Sequence, residues 1–329
     1  MIKNTVKKLV SYSPIVKSAA YIADDLMCGL GMAAGQITSD CGATHLAFSE
    51  AESVNYIEEV FNDYKYYGSV NKFSGLVAEI GPGDNAGVGL LMRQDGCSQV
   101  DLIDRYSTRR NPQQQSKIYQ TLAQRYSIDT FRTIEAWDEQ AFKGINWKIG
   151  QPAEVYFKQL AQSSGEIYDF IVSRAVLEHL YNPLEALRDM VACLKPGGKM
   201  LHKIDFRDHG MFAPIYHELK FLEVPFSIYT LMTKNSGRPN RILVHHYRKL
   251  LDELKEAGLI DYSLLVTHLV DVGEIKPHQP FENIDLALIN KSLAFVESHR
   301  QKFSTEFQQV DSKDITTAGV FLVVNKKSI

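Results

Sequence analysis

Val77-Ala78-Glu79-Ile80-Gly81-Pro82-Gly83-Asp84-Asn85-Ala86-Gly87 is an apolar run that passes through an acid into a Gly-x-Gly turn. A corner of this kind closes a buried strand of an α/β sheet, and its glycines let the backbone approach a ligand where a Cβ would collide. The dinucleotide fingerprint has a third glycine at a fixed offset and a helix N-terminus facing a pyrophosphate. Position 86 is alanine and the third glycine is Gly87, so that pattern is missed by one residue. The corner suits a nucleotide-like ligand without a diphosphate.

What lies downstream gives the corner its specificity. Gln99 to Asp104 is a second apolar strand ending in an acid, at the distance where a ribose-binding carboxylate is expected. Tyr168 to Ser173 reads as a buried strand, continued by Ala175-Val-Leu-Glu-His-Leu180. A helix then starts at Asn182-Pro183, with Leu184, Leu187, Val191 and Leu194 on one face. It stops at Lys195-Pro-Gly-Gly198, and residues 199 to 206 form the next strand.

The succession of strand, Leu177-Glu178-His179-Leu180, helix, Leu194-Lys-Pro-Gly-Gly198 and strand resembles the class I S-adenosylmethionine (SAM)-dependent methyltransferases. The resemblance covers roughly residues 50 to 327 and includes Ile204-Asp-Phe-Arg-Asp-His209, found in a bacterial branch that resembles glycan and small-molecule O-methyltransferases. It implies an α/β, Rossmann-like sheet of seven mostly parallel strands, the last one antiparallel, with SAM as cofactor. It also places cofactor contacts at Glu79, Gly81, Pro82 and Gly83 on the first strand end, and at Asp104 and Arg105 on the second. Asp104 would accept from the ribose hydroxyls. Glu154, after a third strand near Trp147, would accept from the adenine amino group, and Ser173 ends the fourth strand. Glycan-modifying neighbours of the branch suggest a small-molecule or glycan acceptor.

Punctuation along the chain divides it into an N-terminal helical cap (1–70), a SAM-binding core (71–206), an aromatic, proline-broken insertion (207–245) and a C-terminal part of the core (246–329) with a second insertion at 271–312. Ser49 with Glu52 predicts a capping box, followed by the helical stripe Val54, Ile57, Val60, Phe61 and Tyr64. The 207–245 segment follows the fifth strand at the ligand-binding edge of an open α/β sheet, which makes it a substrate lid or a dimerisation arm.

With 329 residues, 45% of them apolar and 23% charged, the chain can bury one large core. A formal charge of −3 offers a polyanion no global attraction, which disfavours a nucleic-acid substrate. Cys28, Cys41, Cys97 and Cys193 have neither zinc nor scaffold spacing and read as reduced, cytoplasmic thiols. No apolar run is long enough to span a bilayer. Lys3, Lys7, Lys8 and Lys17 among apolar residues make the N-terminus a candidate for packing on the core or a second subunit, or for peripheral membrane contact.

An alcohol acceptor must lose its proton as the new bond forms, and histidine suits that task near neutral pH. His209, which follows Asp205 and Asp208 at a ligand-facing strand end, is the leading base; Asp208 or Asp205 would orient it. His179 is the second candidate, and the adjacent His245 and His246 would splay apart on a helix. Asp205, Asp208 and His209 also offer ligands for a divalent metal, or a structural ion pair with Arg207 or Arg241. Three readings follow: O-methylation of a sugar or glycan-linked hydroxyl, N- or C-methylation of a lipid or secondary metabolite, and SAM binding without catalysis.

Overall fold

The structure, a computed structural model, describes residues 13–39, 42–128 and 142–328. Lys3, Lys7, Lys8 and Cys41 of the sequence reading lie outside the described residues. Helix α1 (Pro14–Ala33) has Ser13 as its N-cap and Pro14 at its first position, so the proline opens the helix. The predicted capping box opens α2 (Glu50–Tyr67): the Ser49 hydroxyl accepts from the Glu52 N–H and the Glu52 carboxylate accepts from the Ser49 N–H. The stripe from Val54 to Tyr64 is buried as its spacing requires.

The alternating part of the chain then runs β1 (Gly75–Ile80), α3 (Gly87–Asp95), β2 (Cys97–Asp104), α4 (Pro112–Tyr126), β3 (Ile145–Ile149), α5 (Ala153–Ser163), β4 (Tyr168–Arg174), α6 (Pro183–Cys193) and β5 (Leu194–Asp205). The remainder contains α7 (Phe226–Thr233), α8 (Val244–Glu256), β6 (Ile260–Leu269), β7 (Gly273–Gln279), α9 (Leu286–His299) and β8 (Thr317–Lys326). The main sheet has eight strands in the order β3-β2-β1-β4-β5-β8-β6-β7. Strands β1 to β5 pair in parallel, and β8 inserts antiparallel between β5 and β6.

The expected count of seven is thus corrected to eight. The additional strand, β7, falls in the stretch read as an insertion, and it pairs antiparallel with β6 at the sheet edge. Its sequence, Gly-Glu-Ile-Lys-Pro-His-Gln, offers one aliphatic residue and a proline. An edge strand tolerates both, and neither gives a strand signal.

Period-two alternation splits the sheet's side chains between two apolar layers. Ala78, Ile171, Met200 and Leu322 face one core with α6 and α8, while Val77, Val172, Leu201 and Phe321 face the other with α2, α3 and α4. Both faces of β1 are therefore covered, and its C-terminal end is left as the open edge where ligands bind.

Residues 207–244 do not form an isolated arm. Helix α1 packs on α7, and the buried Asp25 carboxylate accepts from the Asn235 and Ser236 backbone N–H groups, each at 2.9 Å, and from the Asn235 side chain at 2.8 Å. The Tyr21 hydroxyl donates to the Met211 carbonyl at 2.8 Å, and Arg238 pairs with Asp24. The N-terminal helix thus clasps the insertion. Its other side leaves Ile15, Met27 and Leu30 exposed, and Phe226 and Leu231 of α7 are exposed as well. No helix among the described residues is long and apolar enough to cross a membrane.

Candidate active site

A cavity of about 440 Å³ opens at the C-terminal ends of β1, β2 and β4. The glycine corner forms its floor. Gly81 and Gly83 both have φ of +67°, and the Gly81 N–H donates to the Ile103 carbonyl, which ties the corner to β2. A side chain at Gly83 would come within 2.4 Å of the Gly42 carbonyl oxygen, so this glycine admits the N-terminal segment as well as a ligand. That segment is held by Asp84, whose carboxylate accepts from the His45 and Leu46 N–H groups at 3.2 and 2.7 Å. Gly42, Thr44 and His45 consequently line the cavity. Sequence reasoning missed them, because their placement depends on an anchor about forty residues away in the chain.

Glu79, Pro82, Asp104, Arg105 and Glu154 all border the same cavity. Burial pushes the Glu79 carboxyl up to about 8, and its Oε2 is buried without a hydrogen-bond partner. Such a group is suited to an ammonium ligand that would supply the missing partner. Asp104 accepts from the Tyr106 N–H at 2.9 Å and the Gly83 N–H at 3.4 Å, and burial raises its carboxyl to about 6. Glu154 accepts from the Tyr181 N–H at 2.8 Å and pairs with Arg105 at 3.4 Å, while Arg105 stacks on the Tyr181 ring. These residues fit a nucleoside amino acid: a carboxylate at each of two strand ends, glycines between them, and an acid near the third strand.

Ser173 departs from expectation. It is fully buried and hydrogen-bonds to His202 Nδ1 at 2.8 Å, and it does not border the cavity. The strand pleat explains this: Ser173 and His202 are register partners on β4 and β5, both turned into the sheet interior.

The opposite end of the cavity is built where β4 and β5 terminate. Ala175 takes a left-handed φ of 55°, and a single 3₁₀ turn, Leu177–His179, follows. This delivers Glu178 and His179 side by side. His209, also left-handed with φ of 51°, comes up from the loop after β5, and its ring lies edge-on to His179 with centroids 4.8 Å apart. Both imidazoles border the cavity. Burial lowers the His179 pKa to about 4; burial also lowers that of His209, against the Asp205 and Asp208 carboxylates, which raise it. His179 Nδ1 is 2.7 Å from the Gly237 carbonyl; it must donate there, which leaves Nε2 as the lone-pair nitrogen.

Glu178 is almost fully buried. Its Oε1 accepts from the Asp205 N–H at 3.2 Å and lies 3.6 Å from His209 Nε2, while its Oε2 has no partner. Burial and the neighbouring Asp205 carboxylate hold its pKa well above the usual range. The insertion fixes this turn from above: the Asn240 N–H donates to the Glu178 carbonyl and its side chain to the Leu177 and Leu180 carbonyls. Sequence reasoning named His179 and His209 but not Glu178, which the motif Leu-Glu-His-Leu had already placed beside them.

The carboxylates expected to serve His209 are otherwise engaged. Asp208 accepts from the Gly210 and Phe212 N–H groups at 2.8 and 3.0 Å and so shapes the loop that carries His209, without a hydrogen bond to the ring. Asp205 is committed to a two-point ion pair with Arg207 at 2.8 and 2.6 Å, although its Oδ2 lies as near to His209 Nε2, at 3.6 Å, as Glu178 Oε1 does. The ligand trio Asp205, Asp208 and His209 is therefore corrected. Among the described residues, the grouping able to hold a metal ion is Glu178, His179 and His209, whose ligand atoms lie within 4.8 Å of one another. His245 and His246 do not splay; their rings lie 4.0 Å apart, outside the cavity wall.

A mostly parallel sheet with an inserted antiparallel strand, carrying an acid–glycine corner and a second strand-end acid around one cavity, defines a class I SAM-dependent methyltransferase. The family model described as "Methyltransferase domain" matches residues 57–262, and the chain belongs to that family. No curated protein matches the sequence. Similar solved structures include Haemonchus contortus phosphoethanolamine N-methyltransferase 2 in complex with SAM, at 15% identity and a TM-score of 0.41, over 84% of this chain and 53% of that one. The present chain thus spans about half of that enzyme's length. The CurJ carbon methyltransferase is similar at 10% identity and a TM-score of 0.36, over 84% of this chain and 54% of that one. The plantazolicin methyltransferase BamL is similar at 12% identity and a TM-score of 0.40, over 88% and 95% respectively.

Proposed function

We propose that this chain transfers the methyl group of SAM to a hydroxyl of a small polar acceptor, a sugar or a glycan-linked alcohol. The observation that carries the reading is the juxtaposition, in one cavity, of the Glu79–Gly83–Asp104 corner with the imidazoles of His179 and His209. When bound, the cofactor supplies an activated methyl on sulfur. Glu79 would take its ammonium, and Asp104 its ribose hydroxyls. Gly81 to Gly83 admit its backbone-proximal atoms, and Glu154 with Arg105 closes the adenine end.

Alignment and exclusion of water then do most of the work, because the displacement disperses charge; well-oriented reactants gain roughly 7 to 11 kcal/mol in this way. The N-terminal segment at Gly42–His45 and the Ser236–Gly237 part of the insertion border the cavity and would contribute to that exclusion. A hydroxyl acceptor has a second need, a place for its proton, and the imidazole corner meets it. The phosphoethanolamine and carbon acceptors named for similar structures belong to those proteins. Nothing in this cavity singles out an amine or carbon acceptor.

Purified protein incubated with methyl-labelled SAM and a panel of sugars, amines and enolisable carbon acceptors tests the reading. Label should appear on an oxygen of a polyhydroxylated acceptor. Label on nitrogen or carbon alone would replace the hydroxyl assignment, and SAM binding without turnover on the panel would favour a binding protein.

A further inference from the structure

We propose that Glu178, His179 and His209 form a divalent metal site at the acceptor end of the cavity, which takes a first-row ion such as Mn²⁺ or Zn²⁺ and leaves a coordination position for the acceptor hydroxyl. The role in turnover rests on the hydroxyl-acceptor reading; the site itself does not.

Four observations converge on it. The ligand atoms of the three side chains lie within 4.8 Å of one another, and His209 Nε2 is 3.6 Å from Glu178 Oε1. Two ligands about 2.1 Å from a common ion stand about 3.0 to 3.5 Å apart at octahedral to tetrahedral angles, so the Glu178–His209 pair is almost in place and small side-chain rotations bring in His179. Glu178 has 2% of its surface exposed, yet its Oε2 has no hydrogen-bond partner, an arrangement that costs free energy unless a cation or donor occupies the position beside it. The His179 Nδ1–H is committed to the Gly237 carbonyl, which fixes the tautomer and turns the Nε2 lone pair outward; metal-bound histidines are held by this kind of outer contact. Finally, His209 is held in a left-handed conformation that a non-glycine residue seldom adopts, on a loop braced by Asp208.

Two imidazoles and one carboxylate on one side of an ion suit a borderline transition metal better than Mg²⁺, which prefers oxygen ligands alone. His209 borders both this cavity and a neighbouring pocket lined by Asp205, Arg207 and Glu218. A hydroxyl bound to the ion would lose its proton to water as the ion stabilises the alkoxide. The oxygen then forms its bond to the methyl carbon, and the sulfur–methyl bond breaks with its electron pair retained on sulfur. No further oxidant or reductant is needed.

The test is direct metal binding. Protein dialysed against EDTA is titrated with Mn²⁺ and, separately, Zn²⁺ by calorimetry, and Mn²⁺ is followed by electron paramagnetic resonance. One ion per chain is expected, with affinity reduced about tenfold or more in each of Glu178→Gln, His179→Ala and His209→Ala. Binding of S-adenosylhomocysteine by the same variants, nearly unchanged, shows that they are folded. Absence of stoichiometric Mn²⁺ and Zn²⁺ binding by protein that still binds S-adenosylhomocysteine overturns the site. If that metal-free protein methylates a hydroxyl normally, the function reading survives and His209 acts as a base. If metal binds as described and no hydroxyl is methylated, the site stands and the hydroxyl reading falls.

Discussion

The proposed cofactor end of the cavity is assembled from neighbours in sequence, whereas the proposed acceptor end is assembled from strangers. Gly83 and Asp104 are 21 residues apart, one in the turn after β1 and the other at the end of the adjacent parallel β2, so one βαβ unit places both. Asp25 and Asn235, which hold the insertion over the other end, are separated by 210 residues. His179 meets the Gly237 carbonyl across 58 residues. Local strand-and-turn chemistry thus suffices for a generic cofactor, while the part that must recognise a particular acceptor draws on long-range contacts between α1, the insertion and two strand ends.

The largest effect expected from this division is chemical. His209→Ala should lower turnover by roughly 10² to 10⁴ fold, the share usual for a group that handles the acceptor's proton. S-adenosylhomocysteine affinity should stay nearly constant, because the cofactor corner does not depend on that loop. Stopped-assay turnover and calorimetry on one preparation check both halves; an equal loss of binding would show that the two ends are not separable.

At the cofactor end, Asp104→Ala should cost on the order of 1.5 to 3 kcal/mol in S-adenosylhomocysteine affinity, the worth of charge-assisted hydrogen bonds to ribose. The same residue gives the pH dependence a sign. Burial raises the Asp104 carboxyl to about 6, so it is ionised and able to accept from hydroxyls above that pH and protonated below it. The part of the affinity that Asp104 supplies should decline as pH falls through about 6, and that decline should be lost in Asp104→Asn. A pH profile unaltered by Asp104→Asn would mean that another group binds the ribose.

The contrast between the two ends also decides how much could be read from the chain. The apolar runs that carry Glu79 and end at Asp104, and the capping box at Ser49 and Glu52, are local signals whose elements are present, whereas Lys195-Pro-Gly-Gly198, read as a turn before a strand at 199, lies within β5, which starts at Leu194. Strand β7 escaped because an edge strand with a proline need not alternate. Glu178 escaped for a different reason: its neighbour His179 drew attention as a base, and the unpartnered oxygen that makes the glutamate notable exists only after folding buries it. Asp208 was over-read, since an Asp-His pair in sequence looks the same whether the carboxylate serves the ring or the backbone beneath it.

An intermediate effect is expected at the clasp. Asp25→Ala removes an acceptor shared by the Asn235 and Ser236 N–H groups and leaves those donors in a part-buried setting. The cost should be about 1.5 to 3 kcal/mol, the range for hydrogen bonds to a charged group. The loss should appear mainly as a raised KM for the acceptor, with S-adenosylhomocysteine affinity altered less. A change in cofactor affinity as large as that in acceptor KM would mean that the insertion seals both ends alike.

The smallest effect is expected at Ser173, which lies between β4 and β5 in the middle of the sheet and does not border the cavity. Its hydroxyl and His202 Nδ1 satisfy each other inside the sheet at 2.8 Å, and burial holds the His202 pKa down to about 3, so the ring stays neutral and the bond is one between uncharged groups. Such a bond contributes about 0.5 to 1.5 kcal/mol, and Ser173→Ala should lower stability by that amount in a urea titration. Because the side chain does not border the cavity, S-adenosylhomocysteine affinity should be unchanged. A matching loss of affinity would show that β4 transmits the packing of its interior face to the ligand-binding edge, and the boundary between the two ends would then lie in the strand itself rather than in the loops beyond it.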